Sequence, residues 1–399
     1  MEYSTLAMDQ EMDDHGVVYD LGSLFDWFSQ IPDPRKERGK RYSLPTLLVL
    51  IFLAKMGTAD TPFAIADWAK ARQEELVSLL QLSYPKLPHH STYRRVFETI
   101  LDEEEFERYA RDYQASLPGA AENRVLAFDG KQLRAAIPCG ETEGIELVAV
   151  YAPESGQVIA QGQLADPLGG EIPAAEQVLA AVDLHDKVVL GDALHTQRAL
   201  SRQVVEAGGD YVWTVKGNQG NTQAAIELLF STPPRGSLEL DFQTACKINK
   251  GHGRIEKRQL TCSGLLKEAL DWPFVDQVFR LERTFHFRRN GQLVREIQQV
   301  HYGMTSLGRD QANAQRLLAL KRMYWQIENG LHYRRDVTFH EDATQMSHLQ
   351  AARNLATVHN LILSLFARLG IHNAAQARRY LDAHPEVAFS LLTSAHPRL

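Results

Sequence analysis

The amino-acid sequence predicts an α/β protein in which a helical unit precedes a mixed core and a β-rich insertion interrupts that core. Helix-start signals and helical spacing of apolar residues mark the first unit, whereas short apolar runs and two helical patterns mark the core. Strand-like runs rich in Arg, Thr and Phe mark the insertion. Five segments are expected: an acidic tail (residues 1–21), the helical unit (22–120), the first part of the core (121–216), the insertion (217–315), and the core helices with the C-terminal helices (316–399).

The helical unit is predicted from its helix boundaries. Residues 24–31 form a short amphipathic helix, and Ser43 caps a long apolar helix with Pro45 in its first turn. Ser91 or Thr92 is expected to cap a later helix. The further helices of this unit are expected at residues 63–82, 91–100 and 103–115.

The core has the element order of an RNase H-like fold. Three strand-like runs come first, and helices then alternate with two more strands. The core strands are expected at 124–129, 146–151, 157–164, 187–192 and 210–216, with helices at 171–183 and 196–207. The insertion is expected to hold a helix near 221–230 and strands at 277–287 and 294–302, and helices return at 309–333 and 347–370.

Composition indicates an ordinary globular protein of a reducing compartment. Apolar residues make up 44% of the chain and charged residues 23%, and the apolar run at residues 47–54 is too short to span a membrane. The acidic N-terminus lacks an export signal, so a cytoplasmic location is expected. Cys139, Cys246 and Cys262 lie far apart, which excludes a zinc knuckle and a disulfide framework.

The net charge of −7 argues at first against a nucleic-acid partner. Residues 1–20, however, carry six acids and no Lys or Arg, which predicts a mobile acidic tail. Without those six acids the net charge of the remaining chain is −1. Since affinity for DNA follows local phosphate contacts, this near-neutral body with basic clusters leaves DNA binding open.

Two predicted core strands end in an aspartate, Asp129 in the first and Asp192 in the fourth. In a sheet of this order those strands lie side by side, so we expect both carboxylates at one edge. Paired carboxylates bind hard cations such as Mg²⁺, and two such ions can activate water and stabilise the leaving oxygen of a phosphodiester. An acid at a strand end also caps ordinary turns, and that alternative stays open for each aspartate alone.

A third acid, Glu328, lies in a predicted helix and is followed seven residues later by Arg335. Seven residues of an α-helix make nearly two turns, so both side chains are expected on one face. One would face a metal ion and the other a phosphate. A solvated salt-bridge face is the alternative for such a pair.

Six segments together resemble a known family. They span residues 28–45, 127–134, 191–197, 209–219, 251–258 and 325–342, and include Phe-Asp-Gly-Lys, Gly-Asp-Ala-Leu-His-Thr-Gln and Trp-Gln-Ile-Glu-Asn. In this order they resemble the ISAs-type insertion-sequence transposases, also called H-repeat-associated proteins, over roughly residues 22–370. The resemblance implies a DDE transposase with an RNase H-like nuclease core, which binds, cuts and rejoins DNA.

For the site, the resemblance implies that Asp129, Asp192 and Glu328 form the DDE triad and hold two Mg²⁺ ions, with Mn²⁺ as a substitute. The implied reaction is hydrolysis at the transposon end, followed by attack of the freed 3′-hydroxyl on target DNA. The implied partners are double-stranded DNA, as transposon terminal inverted repeats and as target, and a second copy of the chain on that DNA.

The chain departs from the family pattern in two places. Tyr324 and Arg335 only approximate the Tyr, Arg and Lys that surround the glutamate in related transposases. Gly169-Gly-Glu171 stands where the family often reads Ser-Asn-Glu. If Glu328 is not the third carboxylate, Glu341 or Asp342 is the next candidate.

Basic and polar residues near these segments are candidates for DNA contacts. The loop at residues 33–42 holds five positive charges, which would repel one another without an anionic partner. For the others, a cap, a polar turn or a solvated strand face is the alternative. The DNA-binding candidates are Arg35, Lys36, Arg38, Lys40, Arg41, Arg94, Arg95, His195, Lys216, Asn218, Arg254 and Arg335.

Two other functions fit the same residues. A DNA-binding regulator that has lost transposition would keep the fold, although all three triad residues are present here. A nuclease that cuts without rejoining DNA needs the same metal site, so the sequence does not separate it from a transposase.

Overall fold

The computed structural model describes residues 9–14, 16–134, 145–162, 171–234, 236, 241–251, 254–289, 292–344 and 346–399. Cys139, Gly169 and Gly170 lie outside these residues. The described part contains a small N-terminal hairpin, a helical unit and a nine-stranded mixed sheet. None of its helices is long and apolar enough to cross a membrane.

For the described residues 9–14 and 16–20, the structure corrects the expectation of a mobile acidic tail. Strands β1 (Gln10–Met12) and β2 (Val18–Asp20) pair antiparallel. Tyr19 is buried against Phe25, and Asp20 accepts a hydrogen bond from the Ala395 amide. Local pairing and one aromatic contact therefore order this acidic segment.

The helical unit is built around α2, which is buried on all sides because its sequence is apolar on every face. Ser43 caps α2 as predicted, with Pro45 in its first turn. Residues 63–82 form two helices separated at Arg72, and His89 caps α5 in place of Ser91 or Thr92. The helices are α1 (Leu24–Ser29), α2 (Leu44–Met56), α3 (Pro62–Ala71), α4 (Gln73–Leu79), α5 (His90–Arg95) and α6 (Glu103–Ser116), and a π-helical turn, Val96–Ile100, follows α5.

The first part of the core forms the first five strands of the large sheet, in the order β5-β4-β3-β6-β7. β3 pairs antiparallel with β4 and parallel with β6, so the predicted adjacency of the first and fourth strands is confirmed. These elements are β3 (Val125–Leu133), β4 (Ile145–Ala152), β5 (Gln157–Gly162), α7 (Glu171–Ala180), β6 (Val188–Gly191), α8 (Arg198–Glu206) and β7 (Asp210–Val215).

The insertion extends the same sheet. Its last strand pairs antiparallel with β7, and the other three strands follow outward. The elements are α9 (Gly220–Ser231), β8 (Gln243–Gly251), β9 (Arg254–Ser263), β10 (Gln277–Arg289) and β11 (Gln292–Thr305). The insertion is therefore β-rich, as predicted, and is continuous with the core sheet.

Both faces of the core strands β3, β4, β6 and β7 are largely buried. Along β3, Val125 and Ala127 belong to one hydrophobic cluster, and Leu126 and Phe128 belong to another, as alternation along a strand requires. Helices α7, α8 and α9 cover the second cluster, and the C-terminal helices cover the first. Those helices are α10 (Ala314–Ile327), α11 (Leu349–Arg368), α12 (Ala374–Ala383) and α13 (Pro385–Thr393).

Helix α11 joins the two units. It is buried along most of its length and packs on β5, on α6 and on α2. Between α10 and α11 the chain forms two π-helical segments, Glu328–His332 and Arg334–Thr338. Such segments are rare and are often found at functional sites.

Candidate active site

The register of the sheet places Asp129 and Asp192 at the same level of adjacent strands. β3 and β6 pair in parallel up to Ala127 and Leu190, and each aspartate comes two residues beyond that pair. Asp129 does not end its strand, because β3 continues to Leu133 along β4. Both carboxylates therefore lie at the edge where the parallel pairing stops.

The Asp192 carboxylate closes the loop that follows β6. Its Oδ1 accepts hydrogen bonds from the Leu194 amide at 2.8 Å and the His195 amide at 3.3 Å, and lies 3.0 Å from His195 Nδ1. Burial raises the pKa of Asp192, but the His195 ring and these amides outweigh burial and hold the pKa below its usual value. Asp192 is thus held as an ionised, oriented carboxylate.

His195 lies inside the site and is fully buried. Burial lowers the pKa of this ring, whereas hydrogen bonds to Asp192 and Glu171 raise it, and the net pKa is about 9. The predicted DNA contact at His195 has no exposed surface to use in this structure. The ring instead ties two carboxylates together.

Glu171, the first residue of α7, joins the predicted aspartates. Its Oε1 lies 2.7 Å from His195 Nε2, and ligand atoms of Asp129, Glu171 and His195 lie within 4.8 Å of one another. Gly130 permits this approach, because a β-carbon there would lie 2.3 Å from the Glu171 carboxyl carbon. Glu146 on β4 adds another acid, and its pKa is raised by burial and then by Glu171.

Tyr324 on α10 and His332 at the end of the π-helical segment both contact Asp129, and Glu328 lies between them in sequence. Tyr324 donates a hydrogen bond to Asp129 Oδ1 at 3.2 Å, and His332 Nε2 lies 3.6 Å from Asp129 Oδ2. Glu328 lies one helical turn from each of them, and its side chain is exposed. Burial and then the charges of Asp129, Asp192 and Glu328 raise the pKa of Tyr324. The charges of all three predicted triad residues therefore act on Tyr324, and Asp129 contacts it directly.

Arg335 points away from Glu328, so the expectation that both lie on one helix face is wrong. Hydrogen bonds from i to i+5 in the π-helical segments add residues to each turn, and seven residues no longer complete two turns. The Arg335 side chain is fully buried, with Nη2 2.7 Å from Glu341 Oε1. A phosphate has no route to this guanidinium in the structure, so Arg335 is an internal ion-pair residue here and not a DNA contact.

The two reserve candidates for the third carboxylate are also engaged elsewhere. Glu341 is 3% exposed and lies 2.7 Å from His359 Nδ1. Asp342 lies 3.7 Å from Lys131 Nζ, which is also 2.6 Å from Asp336. These acids have internal cationic or imidazole partners.

One buried cation lies beside the candidate site. Lys321 on α10 donates a hydrogen bond to Thr214 Oγ1 at 2.6 Å. Burial lowers the pKa of Lys321, the negative charge of Asp192 opposes this, and the resulting pKa is about 8. Lys321 is thus close enough to Asp192 to be stabilised by it.

Comparison with known proteins decides the family. The profile described as "Transposase DDE domain" matches residues 120–365, more than half of the chain, and the profile described as "DDE_Tnp_1-associated" matches residues 25–114. The chain belongs to the insertion-sequence DDE transposases. Both aspartates and Glu328 lie within the matched domain.

Individual relatives agree with this assignment. YncI of Escherichia coli O157:H7, which carries a transposase name, is 26% identical and covers 86% of this chain and 87% of its own. YhhI of E. coli strain K12, with an H repeat-associated transposase name, is 25% identical over 91% of this chain and 95% of its own. An uncharacterized protein in the dhlA 3′ region of Xanthobacter autotrophicus is 31% identical over 67% of this chain and 90% of its own.

In this transposase, the basic loop of the helical unit borders a groove of about 810 Å³. The groove also takes in Arg95 and Lys86, so the loop and the start of α5 form one basic surface. Two of the loop's cations have anionic partners within the loop itself. Arg35 pairs with Asp33 at 2.7 Å, and Lys40 pairs with Glu37 at 2.6 Å. The predicted cations that line the groove are Arg35, Arg38, Lys40, Arg41 and Arg95.

The remaining predicted contacts of the transposase lie outside that groove. Arg94 and Lys216 are exposed, and Arg94 lies 3.6 Å from Glu98. Asn218 uses its amide to bind the Ala193 carbonyl at 2.6 Å. Lys36 is exposed on the same loop as the groove cations.

Arg254 belongs to a second basic cavity, of about 330 Å³, which Asn329, the neighbour of Glu328 in sequence, also lines. Arg258, Arg283 and Arg322 line it together with Lys321, and the exposed Trp325 forms one wall. The Arg283 guanidinium lies 5.5 Å from the Trp325 ring. Lys321, on whose pKa Asp192 acts, is the cavity residue that links these cationic and aromatic groups to the candidate site.

The sequence did not predict two residues of the candidate site, Glu171 and His332. The only sequence signal for Glu171 was its position at the end of Gly169-Gly-Glu171, the segment that departs from the family pattern. His332 gave no signal beyond its spacing of four residues from Glu328. Both reach Asp129 only through tertiary packing, which periodicity does not show.

Proposed function

We propose that this chain is a DDE transposase with an RNase H-like nuclease core, which cleaves transposon DNA ends and joins the freed 3′-hydroxyl to target DNA. The strand order β5-β4-β3-β6-β7, with β3, β6 and β7 parallel, supports that core. The observation that carries the proposal is the register that sets Asp129 and Asp192 level on β3 and β6.

The donor set fits divalent cations such as Mg²⁺. Asp129, Asp192 and Glu328 offer carboxylate oxygens, the ligands that Mg²⁺ prefers. Asp129, Asp192 and Glu171 lie around the buried His195 imidazole, so negative charge is in excess at this edge. Asp129, Asp192 and Glu328 would hold two ions. When bound, such ions lower the pKa of water and stabilise charge on the transferring phosphate.

The protein's own groups supply orientation. His195 and two loop amides hold Asp192 in one position, and the Tyr324 hydroxyl holds Asp129 Oδ1. Groups locked in this way hold a reacting phosphate with little reorganisation during the reaction. No nucleophilic side chain is required, because water and the DNA 3′-hydroxyl are the attacking groups.

The two basic surfaces support a double-stranded DNA partner. The groove of the helical unit would bind phosphates away from the chemistry, and the Arg254 cavity would bind a phosphate beside Glu328. A second copy of the chain on paired transposon ends is part of the same proposal. Mn²⁺ is expected to substitute for Mg²⁺.

The test is the variant Glu328→Gln, which keeps size and helix propensity but removes one ligand charge. Nicking of a labelled terminal fragment in Mg²⁺ should fall by orders of magnitude, while gel-shift binding to the same fragment persists. Glu268→Gln, at an exposed carboxylate of the insertion, is the matched control and should nick like the wild type.

Three other outcomes separate the alternatives. Wild type that binds but never nicks with Mg²⁺ or Mn²⁺ would favour a DNA-binding regulator. Wild type that nicks but never joins ends to target DNA would favour a nuclease. Full activity in Glu328→Gln would remove Glu328 from the triad and leave Glu171 as the next carboxylate at this edge.

A further inference from the structure

His332 is a buried histidine whose ring nitrogens have no hydrogen-bond partner among the described residues. It is the last residue of the π-helical segment Glu328–His332 and is 5% exposed. A buried polar group without a partner loses the hydrogen bonds that water would give it, so such groups are uncommon and usually serve a purpose. The fold keeps this ring in place without giving it a protein partner.

The ring faces the candidate metal site. His332 Nε2 lies 3.6 Å from Asp129 Oδ2, while the Tyr324 hydroxyl contacts the other carboxylate oxygen, Oδ1. The 3.6 Å separation exceeds the roughly 3.2 Å limit of a good N–H···O hydrogen bond. It is close to the spacing of about 3.0–3.5 Å between two atoms that bind one ion at about 2.1 Å.

Other histidines with comparable burial show the contrast. His195 Nδ1 lies 3.0 Å from Asp192, and His359 Nδ1 lies 2.7 Å from Glu341. Each of those rings is oriented by a carboxylate at hydrogen-bond distance. His332 lies at a distance from the Asp129 carboxylate that suits binding of one metal ion by both groups better than a hydrogen bond between them.

We propose that His332 is a nitrogen ligand of the cation that Asp129 holds. The inference rests on the proposed metal site and adds one ligand to it. Glu328 and His332 would then bind from successive turns of one helical segment. Imidazole favours Mn²⁺, Co²⁺ or Zn²⁺ over Mg²⁺ more than carboxylates do, so the site should bind Mn²⁺ more tightly than Mg²⁺.

Pulsed electron paramagnetic resonance of Mn²⁺ bound to the full-length protein tests the proposal without any activity assay. Wild type should show ¹⁴N coupling from a directly bound imidazole. His332→Gln should lose that coupling and bind Mn²⁺ about ten-fold or more weakly, as removal of a metal-site group does. His195→Gln is the matched comparison, because His195 is the other imidazole near Asp129, and it should retain the ¹⁴N coupling.

Coupling that persists in His332→Gln and disappears in His195→Gln would overturn the proposal, and so would a wild type that binds Mn²⁺ without nitrogen coupling. Failure of the proposed function gives a different result, namely Mn²⁺ binding that Asp129→Asn does not weaken. If His332→Gln does not fold by circular dichroism, His332→Asn takes its place. Wild type labelled with ¹⁵N-histidine then shows independently whether the bound nitrogen belongs to histidine.

Discussion

Within the described residues, two buried carboxylate–histidine clusters have nearly the same central contact. At the sheet edge, Glu171 Oε1 lies 2.7 Å from His195 Nε2. In the core, Glu341 Oε2 lies 2.7 Å from His359 Nδ1. Both histidines are fully buried, so neither contact is weakened by solvent.

The clusters differ in the charged groups that surround the acid–imidazole contact. In the core, Arg335 binds Glu341, and burial of that carboxylate is outweighed by Arg335 and His359, so the pKa of Glu341 is lowered. Burial and then the charge of Lys55 lower the pKa of His359 to about 3, which leaves the ring neutral. At the edge, three carboxylates surround His195, and its pKa rises to about 9.

The net charge around the acid–imidazole contact, and not the contact itself, therefore distinguishes a structural cluster from a cation-binding cluster. The core cluster is neutralised by its own arginine. The edge cluster keeps an excess of negative charge, and metal ions are the groups that remove such an excess.

The largest effect is expected from Arg335→Met in the core cluster. Removing one partner leaves Glu341 as a buried charge without compensation, and such changes cost about 3–5 kcal/mol of folding free energy. Chemical denaturation checks this. Arg334→Met, in the same π-helical segment but only half-buried, should cost far less. Equal losses in both variants would show that the core ion pair is not the source of stability.

The second prediction concerns pH, because the two histidines titrate in opposite directions. The pKa of His195 is raised to about 9. The contribution of this charged ring to folding stability is therefore fully present below about pH 6.5 and is lost as pH rises through about 9. The pKa of His359 is lowered to about 3, so this neutral ring costs stability as pH falls from about 6.5 towards 3.

Denaturation in EDTA at several pH values measures both terms. Wild type should lose folding stability on the order of 3 kcal/mol as pH rises through about 9, and His195→Gln should not show this loss. His359→Gln should remove a loss of similar size at acid pH. Parallel profiles for the two variants would contradict the contrast between the clusters.

The third prediction sharpens the geometry of the edge cluster. In Gly130→Ala the new β-carbon would meet the Glu171 carboxylate at 2.3 Å, so that carboxylate must move away from Asp129 and His195. Mn²⁺ affinity measured by calorimetry should fall about ten-fold, as for other changes around metal ligands. Gly220→Ala, where nothing lies within 4 Å of the new β-carbon, should bind Mn²⁺ like wild type.

The smallest effect is expected at the basic groove of the helical unit, where positive charge is in excess instead of negative charge. Arg38→Ala removes one cation that lines it, so the slope of log affinity for DNA against log salt should flatten by about one unit. Lys70→Ala, an exposed cation on α3 that does not line the groove, is the matched control. An unchanged slope for Arg38→Ala would show that DNA binds elsewhere.

Much of the fold could be predicted because its signals are local. The apolar run after Ser43 marks α2, and strand runs that end near Asp129 and Asp192 predict a pair of adjacent strands. The hairpin at Tyr19 could not be predicted from an acidic composition, because one buried aromatic contact orders it. Arg72 separates two helices within one continuous helical pattern.

The candidate site was predictable only in part, for a related reason. The strand order shows that Asp129 and Asp192 can meet, but α-helical spacing placed Arg335 on the wrong side, because π-helical turns change the angle between residues. Glu171 and His332 approach Asp129 from elements distant in sequence. Such contacts depend on packing, which no local pattern encodes.

The most direct test of the account is a crystal structure of the protein with Mn²⁺, with anomalous diffraction to locate the ions. The account predicts an anomalous peak bonded to both Asp129 and Asp192, and a core cluster of Arg335, Glu341 and His359 without any ion. The absence of a peak at Asp129 and Asp192, or a peak in the core cluster, would contradict the assignment of the metal site to the edge of the sheet.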